Sequence, residues 1–186
     1  MDVSRRGWMM GLGLTIVTGI AEAQQHAHEA LQSGGPPRLQ VLDASTFGEL
    51  EALTGQIIPS DDGPGAREAG VAYFIDHALA TFESDKREAY SKGLTEIQEA
   101  RRKLFPHSTN IAGLTPGEQI ELLQSIDKSA FFELLRTHTV WGYVGSPIYG
   151  GNRDKAGWVH IKFDDRMHFQ PPFGYYDAEA GRNTTP

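Results

Sequence analysis

The chain has 186 residues, 39% hydrophobic and 22% charged, with 24 acids against 17 bases, a formal net charge of −7 and no cysteine. That length suits one compact domain whose core stands without covalent staples. The missing cysteine excludes disulfides, thiolate-held iron–sulfur clusters, CxxCH haem attachment, Cys-based zinc sites and a cysteine nucleophile. The acidic balance argues against a broad electrostatic footprint on nucleic acid or anionic lipid.

Residues 1–23 read as an export signal. Arg5 and Arg6 stand just before Trp8-Met9-Met10, an uncharged stretch follows from Gly11 to Ile20, and Ala21-Glu22-Ala23 has the small-x-small form of a cleavage site. A helix of that stretch covers about 15 Å, half a bilayer core, too short for a permanent span. A tandem arginine pair before a glycine-rich, mildly apolar segment points to the twin-arginine route and so to the periplasm. An ordinary secretory signal and an uncleaved anchor are the other readings. The twin-arginine route carries proteins already folded, with a cofactor or a partner acquired beforehand. This chain has no phosphate-cradling GxxxxGK[ST], and its nearest approach to a dinucleotide fingerprint, GLGLTI, lacks the third glycine and lies inside the signal. The expectation is a chain without its own cofactor, exported with a partner that holds one.

Residues 24–40 form a polar leader ending in Gly34-Gly35-Pro36-Pro37, read as a flexible arm. His26 and His28 have metal-gripping chemistry, but near a terminus a solvated tail is the favoured reading. Residues 41–142 read as an all-α bundle of four or five helices. The first is predicted over Ala44–Ile57, N-capped by Asp43, with Phe47, Leu50, Leu53 and Ile57 on one stripe and Pro59 as its stop. After the turn-rich loop Ser60–Ala66, a second helix is predicted over Arg67–Phe82 with Val71, Phe74, Ile75, Leu79 and Phe82 inward. A third, capped by Ser84 or Asp85, runs to Leu104 with the stripe Tyr90, Leu94, Ile97 and Leu104. Thr115-Pro116-Gly117-Glu118 is a capping box with proline at the first helical position, and starts a fourth helix facing Ile120, Leu123 and Ile126 inward. A fifth spans Lys128–Trp141, carrying Phe131, Phe132, Leu134 and Leu135, with Gly142 as its stop. One strand is suggested at Trp158–Phe163, where Val159, Ile161 and Phe163 alternate.

Composition changes near the end. Residues 141–186 hold nine of the 18 aromatics, with seven glycines and four prolines, and few of the aromatics keep helical spacing. Such a segment, 143–186 once the bundle ends, lies either across the bundle or against another protein. The candidate partner-binding residues are Trp141, Tyr143, Tyr149, Asn152 and Trp158, followed in the tail by Phe169, Phe173, Tyr175 and Tyr176. Within GYVGSPIYGGN the glycines permit close approach to a neighbour. In the acidic loop SDDGPGAR, pairing of Arg67 with Asp61 or Asp62 is one reading, and the favoured one is a helix-connecting turn whose acids suit the N-terminal dipole of the second helix. Asp76 and His77 are adjacent on a helix and point about 100° apart. His138, three residues before Trp141, reads as an interior or interface histidine. No ExxH spacing occurs in residues 40–186, and no GxSxG elbow is present. No catalytic residue and no metal site is assigned.

Two stretches, IIPSDDGPGAREAGVAYFID at Ile57–Asp76 and TVWGYVGSPIYGGN at Thr139–Asn152 followed by Gly157-Trp158, resemble the gluconate 2-dehydrogenase subunit 3 family. The resemblance covers residues 40–165. It implies a non-catalytic small subunit of a periplasmic dehydrogenase of sugars, polyols or glycosides. The implied partner is a large flavoprotein of the glucose–methanol–choline type that holds FAD, often with a multi-haem cytochrome c subunit that passes electrons on and gives a route to membrane association. The implied work is the folding, stability and export of that partner. The extended aromatic tail after residue 165 departs from the family pattern. A self-sufficient periplasmic enzyme and a ligand-binding helical bundle are the alternative readings of the residues alone.

Overall fold

The structure is a computed structural model and describes residues 37–166. Arg5 and Arg6 of the export signal, the leader up to residue 36 with its two histidines, and the tail residues Phe169, Phe173, Tyr175 and Tyr176 lie outside the described residues. Six α-helices make an all-α fold, with no strand among the described residues: α1 (Ala44–Ile57), α2 (Val71–Ala80), α3 (Arg87–Leu104), α4 (Pro116–Ser125), α5 (Ala130–Val144) and the short α6 (Ala156–His160). None of these is long and apolar enough to cross a membrane.

The helices whose start signals are local begin where the sequence predicts. Asp43 caps α1 by accepting from the Thr46 amide at 2.9 Å. In α4 both halves of the Thr115–Glu118 capping box form. Ser129 caps α5 through the Phe132 amide. The loop after α1 is fastened by Glu68 rather than by an Arg67 ion pair: its Oε2 accepts from Ser60 Oγ at 2.6 Å and from the Gly65 amide at 2.8 Å.

The second helix is shorter than predicted at both ends. Residues 66–70 make a separate turn, and Gly70 sits in the left-handed region at φ 68° before α2 starts. At the far end the Arg87 side chain donates to the carbonyls of Leu79 (2.6 Å) and Ala80 (3.3 Å), a cation closing a helix C-terminus. Phe82 therefore falls beyond the helix and outside the core. The third helix is entered through a 3₁₀ turn at Ser84–Lys86, with no side-chain cap from Ser84 or Asp85.

α2 buries Val71, Ala72, Phe74, Ile75, Asp76, Ala78 and Leu79. It packs against α1 and α5, while α5 also touches α1, α3 and α6. Two glycines set these crossings. A methyl group at Gly93 of α3 would overlap the Phe131 ring of α5, and one at Gly142 would lie 2.9 Å from the Phe74 ring. Gly142 is thus an internal contact point of α5 rather than its stop. The helix runs on to Val144, and the Gly145 amide closes it on the Trp141 carbonyl at 2.7 Å. In α4 the inward residues are Gln119, Leu122 and Leu123, whereas Ile120 is exposed and Ile126 half-buried. Leu104 of α3 is also exposed.

The last residues before α1 are held rather than free. The buried Asp76 carboxylate accepts from the amides of Gln40 (2.7 Å), Val41 (3.0 Å) and Leu42 (2.8 Å). Bonds to a charged acceptor contribute about 1.5–3 kcal/mol each, enough to fix the chain's entry into the bundle.

The crossing geometry yields a paired prediction. Gly93→Ala overpacks the α3–α5 contact and costs about 1–3 kcal/mol. Gly48→Ala in α1, with open space around the added methyl, gains about 0.5–1 kcal/mol. Urea denaturation of both variants checks the opposite signs.

Candidate partner interface

The segment after α5 folds back on its own helix around one residue. Asn152 is fully buried and its backbone is left-handed at φ 45°. Its amide donates to the Gly142 carbonyl at 2.7 Å, and Nδ2 donates to Gly145 at 2.8 Å. Its Oδ1 accepts from the amides of Gly157 (2.9 Å) and Trp158 (3.4 Å), capping the first turn of α6. The Trp158 indole N–H then donates to the Val144 carbonyl at 2.6 Å. A side chain at Gly157 would collide with the Tyr143 carbonyl, so α6 lies directly on the end of α5.

This arrangement corrects the strand expected at 158–163. The amides of Ile161 and Phe163 are bonded to the nearby carbonyls of Gly157 (3.0 Å) and Trp158 (2.8 Å). Among the described residues there is no second strand to pair with, and local turns satisfy the backbone. Val159, Ile161 and Phe163 all face outward, Val159 at 70% exposure.

The predicted anchors divide into two groups. Tyr143 and Asn152 are interior residues of this chain. Tyr143 Oη donates to the Pro64 carbonyl at 2.5 Å and lies 2.7 Å from His160 Nδ1, tying α5 to the acidic loop and to α6. Trp158 is half-buried, with one edge against Phe163 at 5.1 Å between centroids. Trp141 (46% exposed) and Tyr149 (45%) remain at the surface.

Tyr149 is not alone there. Its ring lies 5.6 Å from that of Phe82, which is 50% exposed and is a residue the sequence placed in the core. Phe82 leans on Phe74 at 6.1 Å, and Phe74 meets His138 edge-on at 6.4 Å. His138 is flanked in turn by Trp141 at 5.4 Å. Phe82 and Tyr149 therefore form an exposed aromatic pair backed by Phe74, and the exposed Trp141 is linked to them through the buried contact between Phe74 and His138. Val159, Ile161 and Phe163 form a second apolar set, next to the point where the chain continues past residue 166. Exposed aromatics in contiguous sets on a small domain mark interaction surfaces.

The titratable groups have internal partners. His77 pairs with the Gln40 side chain at 3.1 Å, and His107 with Glu118 at 3.0 Å. Asp76 and His77 do not face each other, and both meet Gln40, whose backbone amide donates to Asp76 and whose side-chain amide pairs with His77. His138 is buried, and burial lowers its pKa below the ordinary histidine value. Among the described residues no group of three or more His, Asp or Glu comes together to hold a metal ion.

The family model described as gluconate 2-dehydrogenase subunit 3 matches residues 45–164. No curated protein and no solved structure matches the chain. The matched span runs from the first turn of α1 to just past the outward Phe163, so it includes both exposed sets and the Asn152 bridge.

Two predictions follow from this geometry. Asn152→Ala leaves the Gly145 carbonyl and the α6 amides unpaired and costs about 2–4 kcal/mol; limited proteolysis is expected to cut between residues 145 and 166 while helices α1–α5 persist. Asn152→Gly relieves the left-handed backbone but still lacks the side chain, so it is expected to be cut there too.

The second concerns pH. A buried neutral His138 gives stability that is complete above the ordinary histidine value of about 6.5 and declines below it, by at most about 1.4 kcal/mol per pH unit. Asp43, Glu68 and Glu118, whose hydrogen bonds lower their pKa values, act only at lower pH, and Glu49, raised by burial, opposes the loss. Urea midpoints at pH 7 and 5.5 should therefore differ more for the native chain than for His138→Gln.

Proposed function

Because the chain belongs to the gluconate 2-dehydrogenase subunit 3 family, we propose that it is the non-catalytic small subunit of a periplasmic dehydrogenase. Its partner is a glucose–methanol–choline type flavoprotein that holds FAD and oxidises a hydroxyl group of a sugar or glycoside. The single observation that carries the docking role is the exposed pair Phe82 and Tyr149 backed by Phe74, with the exposed Trp141 linked to it through Phe74 and His138. Aromatic anchors of this kind bury large area at small cost in side-chain entropy and dominate binding energy.

The export role is supported by Arg5 and Arg6 in the N-terminal signal. A partner without its own signal would travel with this chain, folded and loaded with its flavin. A cytochrome c subunit would carry electrons onward and bring the complex to the membrane. The aromatic tail residues Phe169, Phe173, Tyr175 and Tyr176 are further candidate partner contacts on their composition.

Co-expression of the flavoprotein with and without this chain tests the escort role. Soluble, FAD-loaded periplasmic enzyme is expected only with it; equal amounts in both cases would refute the role. The docking face has its own test. Phe82→Ser combined with Tyr149→Ser is expected to cut co-purified flavoprotein by about 30-fold, the size of one hot spot, with the urea midpoint of the isolated chain unchanged. Undiminished co-purification would remove this face from the interface.

A further inference from the structure

The buried Tyr90 takes no part in the docking face or the export role, and His138, which backs that face, turns its other contacts inward to Tyr90 and Glu83. Tyr90 of α3 and His138 of α5 are almost completely buried. Tyr90 Oη and His138 Nδ1 are 2.9 Å apart, with ring planes 18° from parallel. On the other side of the imidazole, Nε2 lies 3.8 Å from the Glu83 carboxylate. A carboxylate facing Nε2 favours the tautomer with its proton there, so Nδ1 is the acceptor and Tyr90 the donor. Trp141 is one helical turn along from His138, with its ring centroid 5.4 Å from the imidazole and nearly half its surface exposed.

The geometry points to a one-electron sink in the chain before its partner docks, in which oxidising equivalents that strike the exposed Trp141 come to rest on Tyr90 in the core. The oxidants are those strong enough to oxidise an indole, such as radicals derived from peroxide. Trp141 loses one electron to the oxidant and becomes an indole radical cation. Tyr90 then gives one electron to that cation, which restores Trp141. The phenolic proton passes along the existing hydrogen bond to His138 Nδ1. The products are a neutral phenoxyl radical on Tyr90 and an imidazolium on His138, whose new positive charge faces Glu83.

The parts suit this division. Burial raises the Tyr90 pKa, so the phenol does not ionise in advance and its oxidation depends on an adjacent base. Burial lowers the His138 pKa, and the Glu83 carboxylate 3.8 Å from Nε2 offsets the cost of the imidazolium that the step forms. The phenoxyl forms where Phe131 packs edge-on against the Tyr90 ring at 5.6 Å, shielded from coupling with a second radical. An outer-sphere donor that returns one electron to the phenoxyl, with the proton returning from His138, restores the starting state.

Flash oxidation of the full chain, without any partner, tests this directly. Photogenerated tris(bipyridine)ruthenium(III) supplies the one-electron oxidant, and electron paramagnetic resonance reads the radical. A long-lived neutral tyrosyl signal is expected in the native chain and lost in Tyr90→Phe, which keeps the buried ring. Its yield should fall in Trp141→Phe, and its formation should slow in D₂O because the proton moves with the electron. The D₂O arm needs no variant and stands even if a substitution disturbs the fold. A long-lived signal that survives in Tyr90→Phe, or formation unaffected by D₂O, would overturn the proposal. Neither outcome bears on the docking role, since no partner is present.

Discussion

Asn152 is the constraint on which the rest of the surface depends. Its buried amide side chain joins the end of α5 to the start of α6, taking the Gly145 carbonyl with one end and the Gly157 and Trp158 amides with the other. It does so from a left-handed backbone, which asparagine tolerates better than most residues. With that bridge closed, Tyr149 comes beside Phe82, Trp158 reaches the Val144 carbonyl, and Val159, Ile161 and Phe163 turn outward. An irregular, glycine-rich run has no ladder of its own. Its order comes from these few buried polar bonds and from glycines that let it lie close on α5.

The same constraint separates what the chain covers by itself from what it leaves open. Tyr143 and Asn152 are buried inside the subunit, so the late segment does close over the bundle. Trp141, Tyr149 and Phe82 are not covered, although Phe74 backs Phe82 and His138 lies against Trp141. A buried backing beneath an uncovered aromatic face suits docking to a preformed partner surface, because side chains already packed from beneath lose little freedom on binding. Membership of a dehydrogenase-subunit family supplies the kind of partner such a face serves.

Much of the bundle was legible because its signals are local. Asp43, the Thr115–Glu118 box, the stripe of α1 and the Val71–Leu79 part of the α2 stripe act within one or two turns, and each is found where expected. The errors arose where tertiary contacts decide. Gly142 has the composition of a helix stop, yet it serves as the place where Phe74 packs against α5. Phe82 keeps the spacing of the α2 stripe, but Arg87 closes the helix before reaching it. Val159, Ile161 and Phe163 alternate like a strand, yet the described residues offer no strand to pair with and local turns take the amides instead. Asp76 on an apolar helix gave no sign that it would gather three amides of the entering chain. Trp141 and Tyr149, singled out from composition, stand exposed, whereas the exposed Phe82 beside Tyr149 was recoverable only from the fold.

The most direct measurement is isolation of the native chain, at its natural level, from the cells that make it, followed by gel filtration with the flavin absorbance recorded alongside the protein. Expected is co-elution in fixed stoichiometry with a flavin-bearing dehydrogenase that oxidises a sugar hydroxyl, while the chain stripped of that partner turns nothing over. A chain that elutes alone, carries no flavin-bearing companion and oxidises substrate by itself would contradict the subunit role.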